Sequence, residues 1–317
     1  MNNYPLVSIA VITYNSAAYI LDGLESIKNQ TYKNIELIIS DDCSTDNTTQ
    51  VCQQWIEENR NYFKRTVLVT TEKNSGVAGN LNRAFRECNG EWIKVLSGDD
   101  KFFSFTVEGY IEFINNNPSC NIAFAKLHFY GECKELVDNT KLKYENNFYP
   151  KIRAPYKTQY KENLIELFLP GPGIIVRKTL WDKVEGFDEE FPFCEEIPFT
   201  TKVLDLGERI YFIDKELYRY HVRKGSISKT KSKVYHTLRN NIRSYFRKVH
   251  RKKMIRNGLV LHAIDKTISY NLEEAIENNS KIRIILYSTM RYLSPIRYQN
   301  NIRNIIKKYY TSEKNHH

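Results

Sequence analysis

What most constrains the fold is a rhythm in the first hundred residues. Leu6–Thr13, Ile35–Ile39, Thr66–Thr70 and Trp92–Leu96 are short runs dominated by apolar and β-branched residues. Runs of this kind read as strands buried on both faces. Between them apolar residues recur at helical spacing: Ile20, Leu21, Leu24 and Ile27, then Val51, Trp55 and Ile56, then Ala78, Leu81, Ala84 and Phe85 within Val77–Cys88. Strands alternating with helical segments predict βαβ units around a parallel sheet, so the fold class is α/β.

Each predicted strand runs into a polar cluster: Thr13-Tyr14-Asn15, Asp41-Asp42, Lys73-Asn74 and Asp99-Asp100. Open sheets of this class bind ligands beyond the carboxyl ends of their strands. Clusters at four such ends predict a site there. Asp99-Asp100 is the sharpest of them, because adjacent carboxylates repel unless a cation lies between them and a ligand. Hard oxygen donors suit magnesium or manganese, which share a protein carboxylate with substrate phosphates. There is no G-x-x-x-x-G-K-[ST], which excludes a P-loop enzyme. YNSAA at residues 14–18 stands where a dinucleotide fold would carry G-x-G-x-x-G. A nucleoside diphosphate held through a metal is the ligand consistent with these residues.

The second part of the chain is less regular. Thr106–Asn116 reads as a helix and Ile122–Tyr130 as a strand. Asp138–Thr158, polar and aromatic, is expected to be a mobile loop near an acceptor. Pro170-Gly171-Pro172-Gly173 reads as a turn into a strand at Ile174–Val176, and Ile210–Ile213 and Leu217–Tyr220 are strand-like.

Composition adds the rest. A chain of 317 residues with 41% hydrophobic and 26% charged residues is not disordered, and holds one large domain or two modest ones. Its net charge of +10 is uneven: residues 1–230 carry −4 and residues 231–317 carry +14. Such a tail seeks an anionic partner. Within it Tyr235, Leu238, Ile242, Tyr245, Phe246 and Val249 recur at helical spacing among Arg239, Arg243, Arg247 and Lys248. Ile302, Ile305, Ile306, Tyr309 and Tyr310 repeat the pattern with Arg303, Lys307 and Lys308. Basic amphipathic helices of this kind suit an anionic membrane surface, or pack on the body or on a second subunit of a homo-oligomer. No nucleic-acid motif is present, so no nucleic-acid partner is expected. The six cysteines form no C-x-x-C, MNNYPLVS is no secretory leader, and there is no apolar run of about 18 residues. Free thiols in a reducing cytoplasm are expected.

LVSIAVITYNSAAYILDGLESIKNQTYKNIELIISDDCSTDNT resembles the start of a family 2 glycosyltransferase of the GT-A fold. The resemblance continues through EKNSGVAGNLNRAF and SGDD, resumes at GFDEEF, CEEIPF and LYRYHVRKGSIS, and covers roughly residues 4–228. It implies a mainly parallel central sheet in a catalytic domain over residues 1–229, with a nucleotide-binding half at 1–100 and an acceptor half at 101–229. Residues 230–317 follow as the basic helical region. The implied reaction is inverting and metal-assisted. It moves one sugar from a nucleotide-sugar, preferably a UDP-sugar, to a glycan or lipid-linked acceptor in surface polysaccharide synthesis, at the inner membrane face.

Carried over residue by residue, Thr13, Tyr14 and Asn15 lie in the first nucleotide-contact loop. Asp42 resembles the carboxylate that accepts from uracil, and Asn74 and Asn82 resemble base- and ribose-side contacts. The family often has Arg just before the second Asn. Here that place is Leu81, with Arg83 two residues on. Asp99 and Asp100 stand for the D-x-D-like motif, Asp100 as the direct ligand of Mn2+ or Mg2+. Glu196 matches the general base, with Glu195 the alternative. His221 matches a position by the diphosphate and is a further candidate metal ligand, while Arg223, Lys224 and Ser226 are near enough to cover phosphate. Trp55, Trp92 and Trp181 are not preceded by Gln-x-x-Arg, which implies single-sugar transfer rather than processive synthesis. Two rivals stand beside this reading. A nucleotidyltransferase on a related fold would want an early glycine-rich basic loop, which is missing. An inactive glycan-binding or scaffold domain is opposed by the intact Asp99-Asp100 and Glu195-Glu196 pairs.

Overall fold

Parallel pairing of the early strands organises the molecule. The computed structural model describes residues 4–166, 171–223 and 233–296. Their strands are β1 (Val7–Thr13), β2 (Ile35–Asp41), β3 (Thr66–Val69), β4 (Trp92–Ser97), β5 (Ile122–Tyr130), β6 (Ile174–Arg177) and β7 (Tyr211–His221). They form one sheet in the order β3-β2-β1-β4-β6-β5-β7. β1 pairs in parallel with β2 and β4, β2 with β3, and β5 with β7. β6 alone among the described strands runs against its neighbours, β4 and β5.

The crossovers are α1 (Ile20–Lys28), α2 (Thr48–Asn59) and α3 (Gly76–Arg86), with α4 (Thr106–Asn115) following β4. β2 is buried along its whole length, which is why its sequence is a run rather than an alternation. Phe85, Trp92, Ile9 and Leu24 are fully buried in the same core, each contributing roughly 1.5–3 kcal/mol relative to exposure.

One sequence expectation is corrected. Residues 138–158 are not a loop but part of a helical excursion: α5 (Lys134–Lys143), a π turn at Tyr144–Phe148, α6 (Tyr149–Arg153) and α7 (Tyr156–Ile165). The apolar signal was missing because α7 buries amides. Gln159 donates to the carbonyls of Ile152 and Ile210 at 2.7 and 2.8 Å, and Asn163 donates to Thr201 at 2.9 Å. The two strand-like runs near residue 215 are one strand. Its pairing with β5 shifts register around Lys126, and the exposed Asp214-Lys215-Glu216 marks that irregularity. α8 (Lys178–Lys183) and α9 (Glu196–Asp205) complete this region.

The chain divides into two compact units, residues 1–241 and 242–317. The expected boundary at 229/230 lies outside the described residues. α10 (Lys233–Tyr245) runs across the division. The second unit then holds a π turn at Phe246–His250, α11 (Arg251–Arg256), α12 (Val260–Glu277) and α13 (Lys281–Tyr292). Arg243 and Arg247 are paired with Glu277 and Glu274 of α12. On α13, Ile282, Ile285 and Leu286 are exposed. The Ile302–Tyr310 pattern lies outside the described residues. All six cysteines are free thiols. Among the described residues no helix is long and apolar enough to cross a membrane.

Candidate functional site

The loops at the carboxyl ends of β1 and β2 are stapled to each other. Thr13 Oγ1 donates to Asp41 Oδ2 at 2.7 Å, and Ser44 donates to the same carboxylate from its amide and its hydroxyl. Asn15 sits at φ 50°, a left-handed conformation that Asn tolerates. Its Oδ1 accepts from the Thr45 amide at 2.8 Å. Tyr14 between them is exposed.

Asp42 is buried at the next strand end and is saturated by protein donors. The amides of Ser75 and Gly76 donate to it at 3.0 and 2.9 Å, the Ser75 hydroxyl at 2.6 Å, and Arg83 Nη2 at 3.0 Å. Asn74 closes the same turn, donating to the Asp42 carbonyl at 3.2 Å and accepting from the Gly76 amide at 3.1 Å. Gly76 adopts φ +77°, and a Cβ there would lie 2.7 Å from Pro192, so this turn requires glycine. Asp42, Asn74 and Arg83 are therefore one cluster. Asn82 is not part of it. Its amide donates to the Phe187 carbonyl at 2.9 Å and to Glu189 at 2.7 Å, and its oxygen accepts from the Phe187 amide at 2.9 Å. It clasps α3 to the GFDEEF loop.

A second cluster gathers at the end of β4. Asp100 is buried; its Oδ1 accepts from the His221 amide and its Oδ2 from the Tyr218 hydroxyl, both at 2.7 Å. Burial, then the charge of Asp99, pushes this carboxyl up to about 8, against the pull of those two donors and of Lys94. Asp99 pairs with Arg223 at 2.7 Å. The His221 ring stacks on Tyr130 and meets Tyr19 edge-on. A cavity of about 360 Å³ beside it is lined by Tyr19, Glu132, Cys133, His221, Val222 and Arg223. Lys224 and Ser226 lie outside the described residues.

The third cluster surrounds the start of α9. Glu196 is its first residue, where the helix dipole favours a carboxylate. Burial raises its pKa, while its own amide and that of Gly171 lower it. Glu195 is more deeply buried, and its pKa is driven well up by burial and then by the neighbouring Glu196. Its Oε2 has no hydrogen-bond partner among the described residues. Both carboxylates border an apolar cavity of about 130 Å³ walled by Leu81, Phe85, Ile174 and Phe199.

Two phenols connect the second and third clusters. Tyr220 and Tyr144 are both raised, first by burial, and both feel the charges of Asp100 and Glu196. Sequence reasoning missed them. It also missed Tyr218 and Lys94. Lys94 is buried on β4, donates to the carbonyls of Pro172 and Ile174 at 2.7 and 2.9 Å, and is pushed well below its ordinary pKa by burial. The alternation in LYRYH was legible as a strand, yet nothing local shows which residue across the sheet each tyrosine meets.

The second cluster fits a hard divalent cation. Asp99 and Asp100 stand together as oxygen donors at the end of β4, and the His221 amide reaches Asp100 while its ring lies against Tyr130 and Tyr19. Among the described residues no three such side chains converge as a ready-made cage.

The family description "Glycosyl transferase family 2" matches residues 8–183. A Bacillus subtilis protein named as a teichuronic acid biosynthesis glycosyltransferase, TuaG, is 36% identical over 235 residues, spanning 74% of this chain and 86% of its own. Glycosyltransferase GlyG of Streptococcus pneumoniae is 27% identical over 229 residues, 71% of this chain and 73% of its own. Among solved structures, S. aureus TarS 1-349 in complex with UDP-GlcNAc superposes with a TM-score of 0.55 at 21% identity, covering 84% of this chain and 80% of that one. The mannosyltransferase PcManGT of Pyrobaculum calidifontis, in complex with GDP-Man and Mn2+, gives 0.58 at 19% identity, covering 95% and 84%. At these identities the structural likeness speaks to the fold, which is the expected GT-A arrangement with added C-terminal helices. The matched family span exceeds half of the chain, and the chain belongs to glycosyltransferase family 2.

Proposed function

We propose that the protein transfers one sugar from a nucleoside-diphosphate sugar, a UDP-sugar, to a hydroxyl of a glycan or lipid-linked acceptor, with inversion. The observation that carries this is the Asp99-Asp100 pair just past β4 and the Glu195-Glu196 pair around a cavity that Ser97, the last residue of β4, also lines. One pair suits a diphosphate leaving group and the other an acceptor hydroxyl.

Glu196 is the base. Its carboxylate takes the acceptor proton as the acceptor oxygen bonds to the anomeric carbon. The bond from that carbon to the diphosphate breaks on the opposite face, and the nucleoside diphosphate leaves with the electron pair. Glu195, deeper and without a partner for Oε2 among the described residues, keeps its proton, so the two carboxyls do not both ionise. Asp100 and Asp99, with His221, would hold Mn2+ or Mg2+, which when bound supplies positive charge to the departing diphosphate. Arg223 stands beside them through Asp99.

The name of TuaG supports a cell-surface polysaccharide as the setting. The UDP-GlcNAc and GDP-Man complexes of the structural neighbours support a nucleoside-diphosphate donor. We assign catalysis to residues 1–229. The basic region 230–317 holds the enzyme peripherally on an anionic membrane, on its cytoplasmic face. Exposed Ile282, Ile285 and Leu286 beside Lys281, Arg283 and Arg291 support that contact.

Glu196→Gln tests the reading. Transfer should fall by about 10²–10⁴ with UDP affinity retained. Full activity in Glu196→Gln with none in Glu195→Gln would reverse the two roles, and full activity in both would remove the pair from the chemistry.

A further inference from the structure

Three successive carbonyls in the turn before β6 are held from the core. Lys94 Nζ donates to those of Pro172 and Ile174 at 2.7 and 2.9 Å, and the Tyr110 hydroxyl donates to that of Gly173 between them at 2.8 Å. Lys94 comes from the middle of β4 and Tyr110 from α4, and both are fully buried. Lys94 Nζ also lies 5.2 Å from the Tyr110 ring centroid and 4.5 Å from that of Tyr218, within cation–π range. The turn is pressed tightly onto the sheet. A Cβ on Gly173 would stand 2.7 Å from both the Ala125 carbonyl oxygen and the Phe124 ring.

An amine is costly to bury, and a methionine of similar length would fill the same room without that cost. Packing therefore does not account for Lys94. The explanation lies in what the turn carries. Gly171 opens it and lies against the base: a Cβ there would stand 3.3 Å from Glu196 Oε1 and 3.4 Å from its Cγ. Burial disfavours the Glu196 carboxylate, while the amides of Glu196 itself and of Gly171 favour it. The titratable groups facing this carboxylate are Glu195 and Cys194 ahead of α9, Tyr144 of the π turn and Tyr220 of β7. One acid, one thiol and two phenols bring it no positive charge. Among the described residues, the Gly171 amide is thus the favourable contact that reaches Glu196 from outside its own helix.

We infer that Lys94 and Tyr110 are positioning residues for the general base: by pinning residues 172–174 they hold the Gly171 amide against Glu196. Both act through the turn, from the core. They keep the carboxylate ionised and aimed as the acceptor hydroxyl arrives. The assignment rests on Glu196 being the base, and it names what readies that base.

The test reads the carboxyl itself. The full-length protein, labelled with 13C at the glutamate carboxyls, would be titrated by NMR. The Glu196 signal is the one lost in Glu196→Gln, and a Glu195→Gln background leaves one carboxyl of the pair to titrate. Lys94→Met should raise the Glu196 midpoint by about one pH unit, the size of one lost hydrogen bond to a charged group. Tyr110→Phe keeps its ring and should give a smaller rise. That variant decides the matter if Lys94→Met does not fold. It also removes no charge, so a rise there comes from the turn and not from a lost cation. A midpoint unchanged or lowered in the folded variants overturns the proposal, even if their melting temperatures drop, and reduces both residues to packing. That failure leaves the loss of transfer in Glu196→Gln intact. Full transfer by Glu196→Gln would instead sink the base reading, whatever the titration shows.

Discussion

The Tyr218 hydroxyl donates to Asp100 Oδ2 at 2.7 Å while the Lys94 ammonium caps the same ring 4.5 Å from its centroid. β7 and β4 are not neighbours in the sheet. They meet here because the chain just past β4 bridges to β7, Lys101 and Arg219 exchanging backbone hydrogen bonds of 3.1 and 2.9 Å, while β6 between them is only four residues long. The carboxyl end of β4 is thereby aimed by a side chain from two strands beyond β6.

Tyr218→Phe removes that donor and leaves the ring in place. If Tyr218 orients Asp100 toward a cation, the Mn2+ concentration needed to support UDP binding should rise by about 10- to 100-fold, as for other partners of metal ligands. An unchanged Mn2+ titration would reduce Tyr218 to a packing residue.

Asp100→Ala should lower UDP affinity in Mn2+ to the value measured in EDTA. Equal affinities for parent and variant, with and without the chelator, would remove Asp100 from cation binding.

Glu195 gives a pH-dependent stability. Its ordinary pKa is 4.5 and burial raises it well above that in the folded chain. Between the two values the native state holds a proton that the unfolded state has released, so stability falls as pH rises through that window. Glu195→Gln cannot release this proton. Its melting temperature should decline less between pH 5 and pH 8 than that of the parent. Parallel pH curves would show that Glu195 is ionised in the fold.

Asn82 was expected at the ribose, and the clasp it makes predicts a different phenotype. Asn82→Ala leaves the Phe187 amide and carbonyl without its side chain. Such losses cost about 1–3 kcal/mol. Thermal unfolding should move down by several degrees while UDP affinity holds. A tenfold loss of UDP affinity at unchanged melting temperature would return Asn82 to the nucleotide.

For the membrane contact, the double variant Ile282→Glu and Ile285→Glu places two acids on exposed positions of α13. Sedimentation with anionic vesicles at low salt should fall at least several-fold, with helical circular dichroism unchanged. Equal sedimentation of parent and variant would assign this face to another contact.

The first four strands were readable because burial on both faces writes itself as an apolar run. The acid pair after β4 was readable because it sits at a strand end. His221 was implied by the resemblance, but Tyr218 was not: it arrives at Asp100 through a register shift between β5 and β7 that no local pattern announces. The helices of 134–165 stayed hidden for another reason. Gln159 and Asn163 face inward, so their buried side carries hydrogen bonds where periodicity looks for hydrocarbon. Asp42 illustrates a third limit. Its position was legible, but its donors are Ser75 and Gly76, in a turn more than thirty residues on, and Arg83 of α3.

The reversal of β6 has a consequence for how such a chain can diversify. β5 exits toward the catalytic edge, and β6, running the other way, begins from that side. The excursion between Tyr130 and Ile174 thus leaves and re-enters the sheet on one side, and its described helices are tied to the body through Gln159 at Ile210 and Asn163 at Thr201. Exchanging it for another of different length would re-tool what the edge can hold, and no strand would need to be re-threaded.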